Sequence, residues 1–459
     1  MPPAAVAEAG RNCSNTPQQL REPLASLSDL GRSAARLRGL FYGWRMALLG
    51  GLIMGMGTVP LFQGLPVWNP VLRNSFGWSA GQMSWAFAAT RIEGGLLGPL
   101  EGLLVERLGS RTMVLIGMLI LGGGFVLFSQ IQELWQLYAT FVMMSFGGAL
   151  GTWLPMMTVL NHWFIRSKTR AMSIMMEGHA LGGMAVPLIM AWAIGGIDPS
   201  ESERLGWRLV AFIIGVTIMA SAFPLSRLIR NRPEDMGMLP DGGPPQVVPV
   251  IGQAQTFEEE TAGYTWQEAI KTRTFWLISF GHAGSSVIIV AVMVHLGLML
   301  DDRGYSLQTI GGVVAAFTGV NAVFLLVGGY VGDRLGMRLT AFWFAALQPV
   351  SVVILVLVDS VPMVFLFAVL LGIGRGGCSP ATSAMRGVYF GRRAFAAITG
   401  ISMLPMNLFL FFAPLFAGYL RDITGNYDIA FLTVAGLAMV GSFLFLGLGE
   451  PKSAPSARV

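Results

Sequence analysis

The chain reads as a succession of long apolar runs separated by short polar breaks. A membrane-spanning helix needs about 20 mostly apolar residues to cross roughly 30 Å of hydrocarbon. Twelve runs meet that length, over 43–70, 79–104, 111–130, 134–161, 169–195, 206–227, 274–300, 306–332, 338–358, 361–386, 394–420 and 428–448. Several carry a proline (Pro60, Pro99, Pro155, Pro187, Pro380, Pro405, Pro414). Membrane helices tolerate such breaks where neighbours or wet cavities satisfy the freed backbone groups. The pattern predicts an all-α integral membrane protein of twelve transmembrane helices.

The polar breaks predict its orientation. On one side fall 22 bases, from Arg11 in the amino-terminal tail through Arg107, Arg111, Arg170, Arg232, Lys271, Arg334, Arg338 and Arg386 to Arg458. The other side has five, Arg73, Arg204, Arg208, Arg303 and Arg421. The positive-inside rule then makes both termini cytoplasmic, in an inner or plasma membrane. Charged residues make up 12% of the chain, against about 25% in a soluble domain. The net charge of +5 is therefore a topology signal, and no nucleic-acid partner is expected. Residues 1–41 form a polar tail without a signal-peptide core and are expected to be disordered. Cys13 and Cys378 imply no disulfide, and neither metal-ligand spacing, phosphate loop nor nucleophile–base arrangement is visible. No cofactor and no enzymatic activity are expected.

The breaks also repeat. Gly102-Leu103-Leu104-Val105-Glu106-Arg107-Leu108-Gly109-Ser110-Arg111 returns 227 positions later as Gly329-Tyr330-Val331-Gly332-Asp333-Arg334-Leu335-Gly336-Met337-Arg338. Gly77-Trp78-Ser79 returns as Gly304-Tyr305-Ser306 at the same offset. Gly147, Gly151 and Pro155 return as Gly372, Gly376 and Pro380. Residues 42–227 and 274–448 thus read as two six-helix pseudo-repeats. A cytoplasmic linker over 228–273, with a short amphipathic helix from Trp266 to Thr272, joins them, and 449–459 is a second tail. Parallel repeats of this kind rock about a site near the bilayer midplane.

The repeated G-x-x-x-[D/E]-R-x-G-x-R loop resembles the signature of the major facilitator superfamily of secondary transporters, departing only at Glu106. The resemblance implies the major facilitator fold, alternating access, and a conformational latch at Gly102, Glu106, Arg107, Gly109 and Arg111 with Gly329, Asp333, Arg334, Gly336 and Arg338. Narrower likenesses lie at Tyr42-Gly43-Trp44, Arg232-Pro233-Glu234-Asp235-Met236-Gly237, Thr274-Phe275-Trp276, Tyr389-Phe390-Gly391-Arg392-Arg393 and Asp422-x-Thr424-Gly425-x-Tyr427. Together these resemble bacterial relatives of the monocarboxylate transporters and oxalate/formate antiporters. They imply a carrier of a small organic anion, coupled to a proton or a counter-anion and functional as a monomer. The chain departs from those families where they place their bases. It has Phe62 and Gln63 in the first run, Asn321 and Leu325 in the eighth, and no base inside the eighth or eleventh.

An ionisable group inside a span costs roughly 2.5–3.5 kcal/mol on insertion scales, so each one needs a partner or a wet cavity. Arg375 sits mid-run among Gly372, Gly374, Gly376 and Gly377, and its repeat mate is Leu150. A buried guanidinium matches a carboxylate bidentately, so Arg375 is the first candidate for a substrate anion; a permanent salt bridge is the alternative. Arg91 and Glu93 lie near the middle of the second run, about 200° apart on a helix, and serve either a substrate or proton site or an inter-helix pair. Glu93, Glu177, His179, His282 and His295 are the candidate proton carriers. Gln63, Trp153, Asn321 and Asn407 are softer candidates for the cavity wall. A proton-driven exporter of drugs or organic cations, using Glu93 or Glu177, is the competing function; a transporter-like nutrient receptor is a third.

Overall fold

The computed structural model describes residues 41–164, 167–196, 204–242, 263–391 and 394–450. Within its helices, the side chains of 92–100, 102, 103, 106, 168, 169, 333 and 395–397 are outside the description. The expectations for the amino-terminal tail, most of the linker, the carboxy-terminal tail, and the side chains of Glu93, Glu106 and Asp333 therefore lie outside the described residues.

The described chain is almost wholly helical. In order come α1 (Tyr42–Phe62), α2 (Leu65–Phe76), α3 (Ala80–Leu108), α4 (Ser110–Phe128), α5 (Leu134–Gly148), α6 (Leu154–Trp163), α7 (Lys168–Ile194) and α8 (Gly206–Leu228). After the linker turn α9 (Trp266–Ala269) follow α10 (Arg273–Asp302), α11 (Leu307–Leu335), α12 (Met337–Val356), α13 (Val361–Phe390), α14 (Phe395–Ser402), α15 (Leu404–Thr424) and α16 (Asp428–Leu446). Eleven stretches among the described residues are long and apolar enough to cross a membrane. α3, at 29 residues, is long enough too but carries Arg91, Glu93 and Glu101.

Three predicted runs are interrupted, each for a local reason. The first continues to Phe76 but breaks at Gln63-Gly64, whose N–H groups both donate to the Val59 carbonyl. Pro66 has no N–H to continue the ladder, and the Trp68 indole donates to the Pro60 carbonyl freed by the break (2.9 Å). The fourth contains a π-turn over Ala149–Trp153, a wide turn that recurs at functional sites. The eleventh divides at Met403, just before Pro405. The predicted linker helix is a single turn, capped reciprocally by Thr265 and Glu268.

The two copies of the loop motif have the same shape. α3 ends and α4 begins at Gly109 (φ 78°, ψ 150°), as α11 ends and α12 begins at Gly336 (φ 82°, ψ 144°). That positive φ is open to glycine and strained for other residues, which is why both copies keep one there. We call this end of the helices the loop end.

Helices before the linker pack on one another, α4 against α5 and α8, and those after it do likewise, α13 against α11 and α12, and α16 against α10 and α12. Between the chain halves, α7 packs on α11, α15 on α3, and α10 on α2. Gly297 on α10 meets the Pro66 backbone so closely that a Cβ there would overlap the Pro66 carbonyl.

Candidate functional site

At the end opposite the loop motifs, polar contacts join the two chain halves. Arg73 pairs with Asp301 and, at 2.7 Å, with Asp302, and Asp302 also takes Arg421 at 3.1 Å. Asp422 accepts from the N–H groups of Ala80 (3.1 Å) and Gly81 (2.9 Å), while Ser79 Oγ accepts from Gln82 N (3.2 Å). The first three N–H groups of α3 are thus satisfied, two of them by a carboxylate from the other half. Asn69 donates to the Val294 carbonyl (2.6 Å).

His295 belongs to this lock. Its Nε2 lies 2.9 Å from the Pro414 carbonyl, which can only accept, so Nε2 carries the proton. Ser84 Oγ shares that proton at 3.2 Å, and the Tyr427 phenol donates to Nδ1 (3.3 Å). The ring is fully buried and fully used by α3, α15 and Tyr427.

Below the lock lies a cavity of ≈290 Å³ between the halves. The α1–α2 break delivers Gln63 to it, α3 gives Arg91, α7 gives His179, α11 gives Asn321 and α13 gives Arg375. Phe62, Phe87, Phe317, Met293 and their neighbours Leu65, Ile289 and Val290 form an apolar wall. No carboxylate lines it among the described residues. The Arg91 guanidinium rests 4.6 Å from the Phe87 ring centre and 5.8 Å from that of Phe62, a cation–π arrangement. Its buried Nε finds no acceptor among the described residues, nor does Gln63 Oε1 find a donor. Arg375 donates from one terminal nitrogen to Ser286 Oγ (3.4 Å), its one hydrogen bond among the described residues.

His179 is held from behind. Thr58 Oγ1 donates its single proton to the Met54 carbonyl (3.0 Å), so its 3.3 Å contact with His179 Nδ1 requires Nδ1–H to be the donor. Nε2 is then the ring atom left to take up a further proton.

The remaining candidates lie elsewhere. His282 Nδ1 is 2.7 Å from an Arg386 terminal nitrogen, and since arginine only donates, Nδ1 accepts and holds no proton. Arg386, counted among the loop bases from sequence, is 1% exposed inside α13, where Ser402 and the Thr382 carbonyl take its other donors. Glu177 is half-buried on α7, Trp153 closes the π-turn with 39% exposure, and Asn407 is exposed on α15; none of the three lines the cavity. In the first loop motif Arg107 is exposed beside Asn231 and Arg232, and Arg111 N donates to Asn231 Oδ1 (3.0 Å). In the second, Arg334 stacks on Tyr330 (4.5 Å), Gly329 faces open space, and Arg338 is exposed near Tyr389.

A multi-helix membrane fold with a polar cavity between its two chain halves defines a solute carrier, not an enzyme. The chain belongs to the Major Facilitator Superfamily, whose family model matches residues 48–320 and 275–458. It is 22% identical to monocarboxylate transporter 11 of Mus musculus over 90% of this chain and 89% of that protein. It is 26% identical to monocarboxylate transporter 11 of Homo sapiens over 90% of this chain and 84% of that one. In structure it is similar to a bacterial homolog of the human lysosomal transporter Spinster in its inward-facing and unoccupied conformation (TM-score 0.67, 18% identity, 90% of this chain and 99% of that one). The protein is a multi-pass membrane transporter of this superfamily, similar in sequence to monocarboxylate transporters.

Sequence reasoning missed the lock, the Ser286 and Thr58 contacts, and the aromatic seat of Arg91. Arg73, Asp301, Asp302, Arg421 and Asp422 stand in the sparsely basic breaks. Their grouping at that side was the available signal.

Proposed function

We propose that this protein is a secondary active carrier of a small organic anion that works by alternating access between two six-helix halves, residues 42–227 and 274–448. The observation that carries the reading is the pair Arg91 and Arg375 in one cavity with no carboxylate among its described lining residues. Fixed guanidinium charge beside an apolar wall attracts an anion and repels an organic cation, which disfavours the exporter of cations. Its volume, ≈290 Å³, suits a metabolite smaller than a drug. The names of the relatives, monocarboxylate transporters, support the same substrate class.

The excess of bases at the loop end supports a cytoplasmic assignment for that end and for both termini. With the halves pinned at the opposite end, this conformer is then the one that opens inward, and the loop motifs are the latch of the outward-open state. His179 is the coupling-proton site we favour, because it lines the cavity with Nε2 available.

Thermal stabilisation of the purified protein across a panel of carboxylates and lipophilic cations tests the reading. Carboxylates should raise Tm in a dose-dependent way, and Arg375→Ala should remove that response while leaving the ligand-free Tm within a few degrees. Stabilisation by cations that survives Arg375→Ala would overturn it.

A further inference from the structure

Arg91 and Arg375 come from opposite chain halves, one on α3 and one on α13, yet line the same cavity. Each is differently but incompletely satisfied. Arg91 lies against two phenyl rings and has a buried Nε without a described acceptor. Arg375 has one long hydrogen bond, from a single terminal nitrogen to a serine hydroxyl. The rest of its guanidinium fork has no acceptor among the described residues. Two charges in an apolar site, each with donors to spare, need two negative charges to balance them.

We propose that the substrate is a dianion, a short dicarboxylate, held with one carboxylate on Arg375 and the other on Arg91. This inference rests on the anion-carrier reading and sharpens it. A monocarboxylate satisfies one guanidinium and leaves the other uncompensated beside the apolar wall. A dicarboxylate satisfies both and ties one half of the carrier to the other. Gln63 and Asn321, the neutral polar groups of the lining, supply amide donors to the outer carboxylate oxygens. The cavity's ≈290 Å³ equals the liquid volume of about ten water molecules. That accommodates a chain of a few carbons between two carboxylates, with Phe87, Phe317 and Met293 against its methylenes.

The test uses the full-length protein in lipid nanodiscs and calorimetric titration with straight-chain dicarboxylates of two to six carbons, each paired with the monocarboxylate of equal length. The best dicarboxylate should bind at least about ten-fold tighter than its monocarboxylate partner, the worth of one further compensated charge. Arg91→Gln should abolish that preference, weakening the dicarboxylate about ten-fold or more and leaving the monocarboxylate within about three-fold. Arg91→Lys keeps the charge and should keep the preference, with weaker binding for want of the fork. It also serves where the glutamine variant does not fold. Monocarboxylates binding as tightly as dicarboxylates, or Arg91→Gln weakening both alike, would overturn the dianion and leave the anion carrier standing. Binding of neither class at any length would sink both.

Discussion

At the scale of single residues, hydrogen-bond partners decide what each histidine is free to do. Three histidines in the membrane look alike in sequence, and their hydrogen-bond partners give their ring nitrogens different roles. His282 receives from Arg386, so a second proton would set two cations 2.7 Å apart. His295 spends both nitrogens on a carbonyl and a phenol. His179 donates from Nδ1 to Thr58 and keeps Nε2 in reserve. A charged His179 adds a third positive group to the cavity, and a bound anion favours that charged form. Anion affinity should therefore rise as pH is lowered from 8 in the native protein. In His179→Gln it should stay flat as pH is lowered, with affinity close to the native value at pH 8. Titrations with one carboxylate at several pH values decide this, and an unchanged pH slope in the variant removes His179 as the coupling site. Arg375, Arg91, Gln63, Asn321 and His179 were legible as candidates because polar groups in apolar runs are few. Which histidine is reserved was not legible, since it depends on Thr58, Arg386 and Pro414, partners 104 to 121 positions away in the chain.

At the scale of elements, the lock opposite the loop end rests on a helix terminus. Asp422 takes the place of a local capping group for the first two N–H groups of α3, where the carboxylate also faces the positive end of the helix dipole. Replacing such a cap with alanine costs about 1 kcal/mol. Because the cap exists only while the halves are together at this end, the cost falls on this conformer alone. Asp422→Ala should shift the equilibrium towards the conformer open at this end by about five-fold. Spin labels at Asn74 and Ile423, both exposed and on opposite halves, report it as a larger share of long distances. Gly297→Ala should act in the same direction and more strongly, because its Cβ overlaps the Pro66 carbonyl only while α10 and α2 touch. An unaltered distance distribution in both variants would mean that the lock does not hold the conformer. The helices themselves were legible, because a 20-residue apolar run admits few other structures. Their interruptions were less so: Pro60, Pro155 and Pro405 mark the neighbourhood of all three, but prolines at 187, 380 and 414 are absorbed within α7, α13 and α15. Which proline breaks a helix depends on the packing around it, and that packing is not written in the local sequence.

At the scale of the whole molecule, the repeat decides what meets what. Arg73 and Asp301 are 228 positions apart and Asn69 and Val294 are 225 apart, beside a motif offset of 227. Equivalent positions of the two repeats thus touch where the halves converge, as residues next to a pseudo-two-fold axis must. Complementary groups meet there, arginine with aspartate and a side-chain amide with a backbone carbonyl. Arg91 and Arg375 break the rule, being like charges that face one cavity from opposite halves. Passing from one open state to the other requires an intermediate in which both ends are shut and the cavity is sealed from water. Without an anion, that intermediate holds two like charges in a medium of low dielectric, where their repulsion is several-fold stronger than in bulk water. With a dianion bound, the repulsion is cancelled. The loaded carrier should therefore reorient much faster than the empty one, and transport should be exchange in preference to net flow. In proteoliposomes loaded with a labelled dicarboxylate, unlabelled dicarboxylate outside should accelerate efflux by about ten-fold or more over efflux into buffer alone. Arg91→Gln lowers the empty-site charge from two to one and should narrow that ratio to within about three-fold, chiefly by speeding efflux into buffer. A native carrier that empties into buffer as fast as it exchanges would show that the empty cavity crosses unopposed, and that its two arginines are neutralised by something other than substrate.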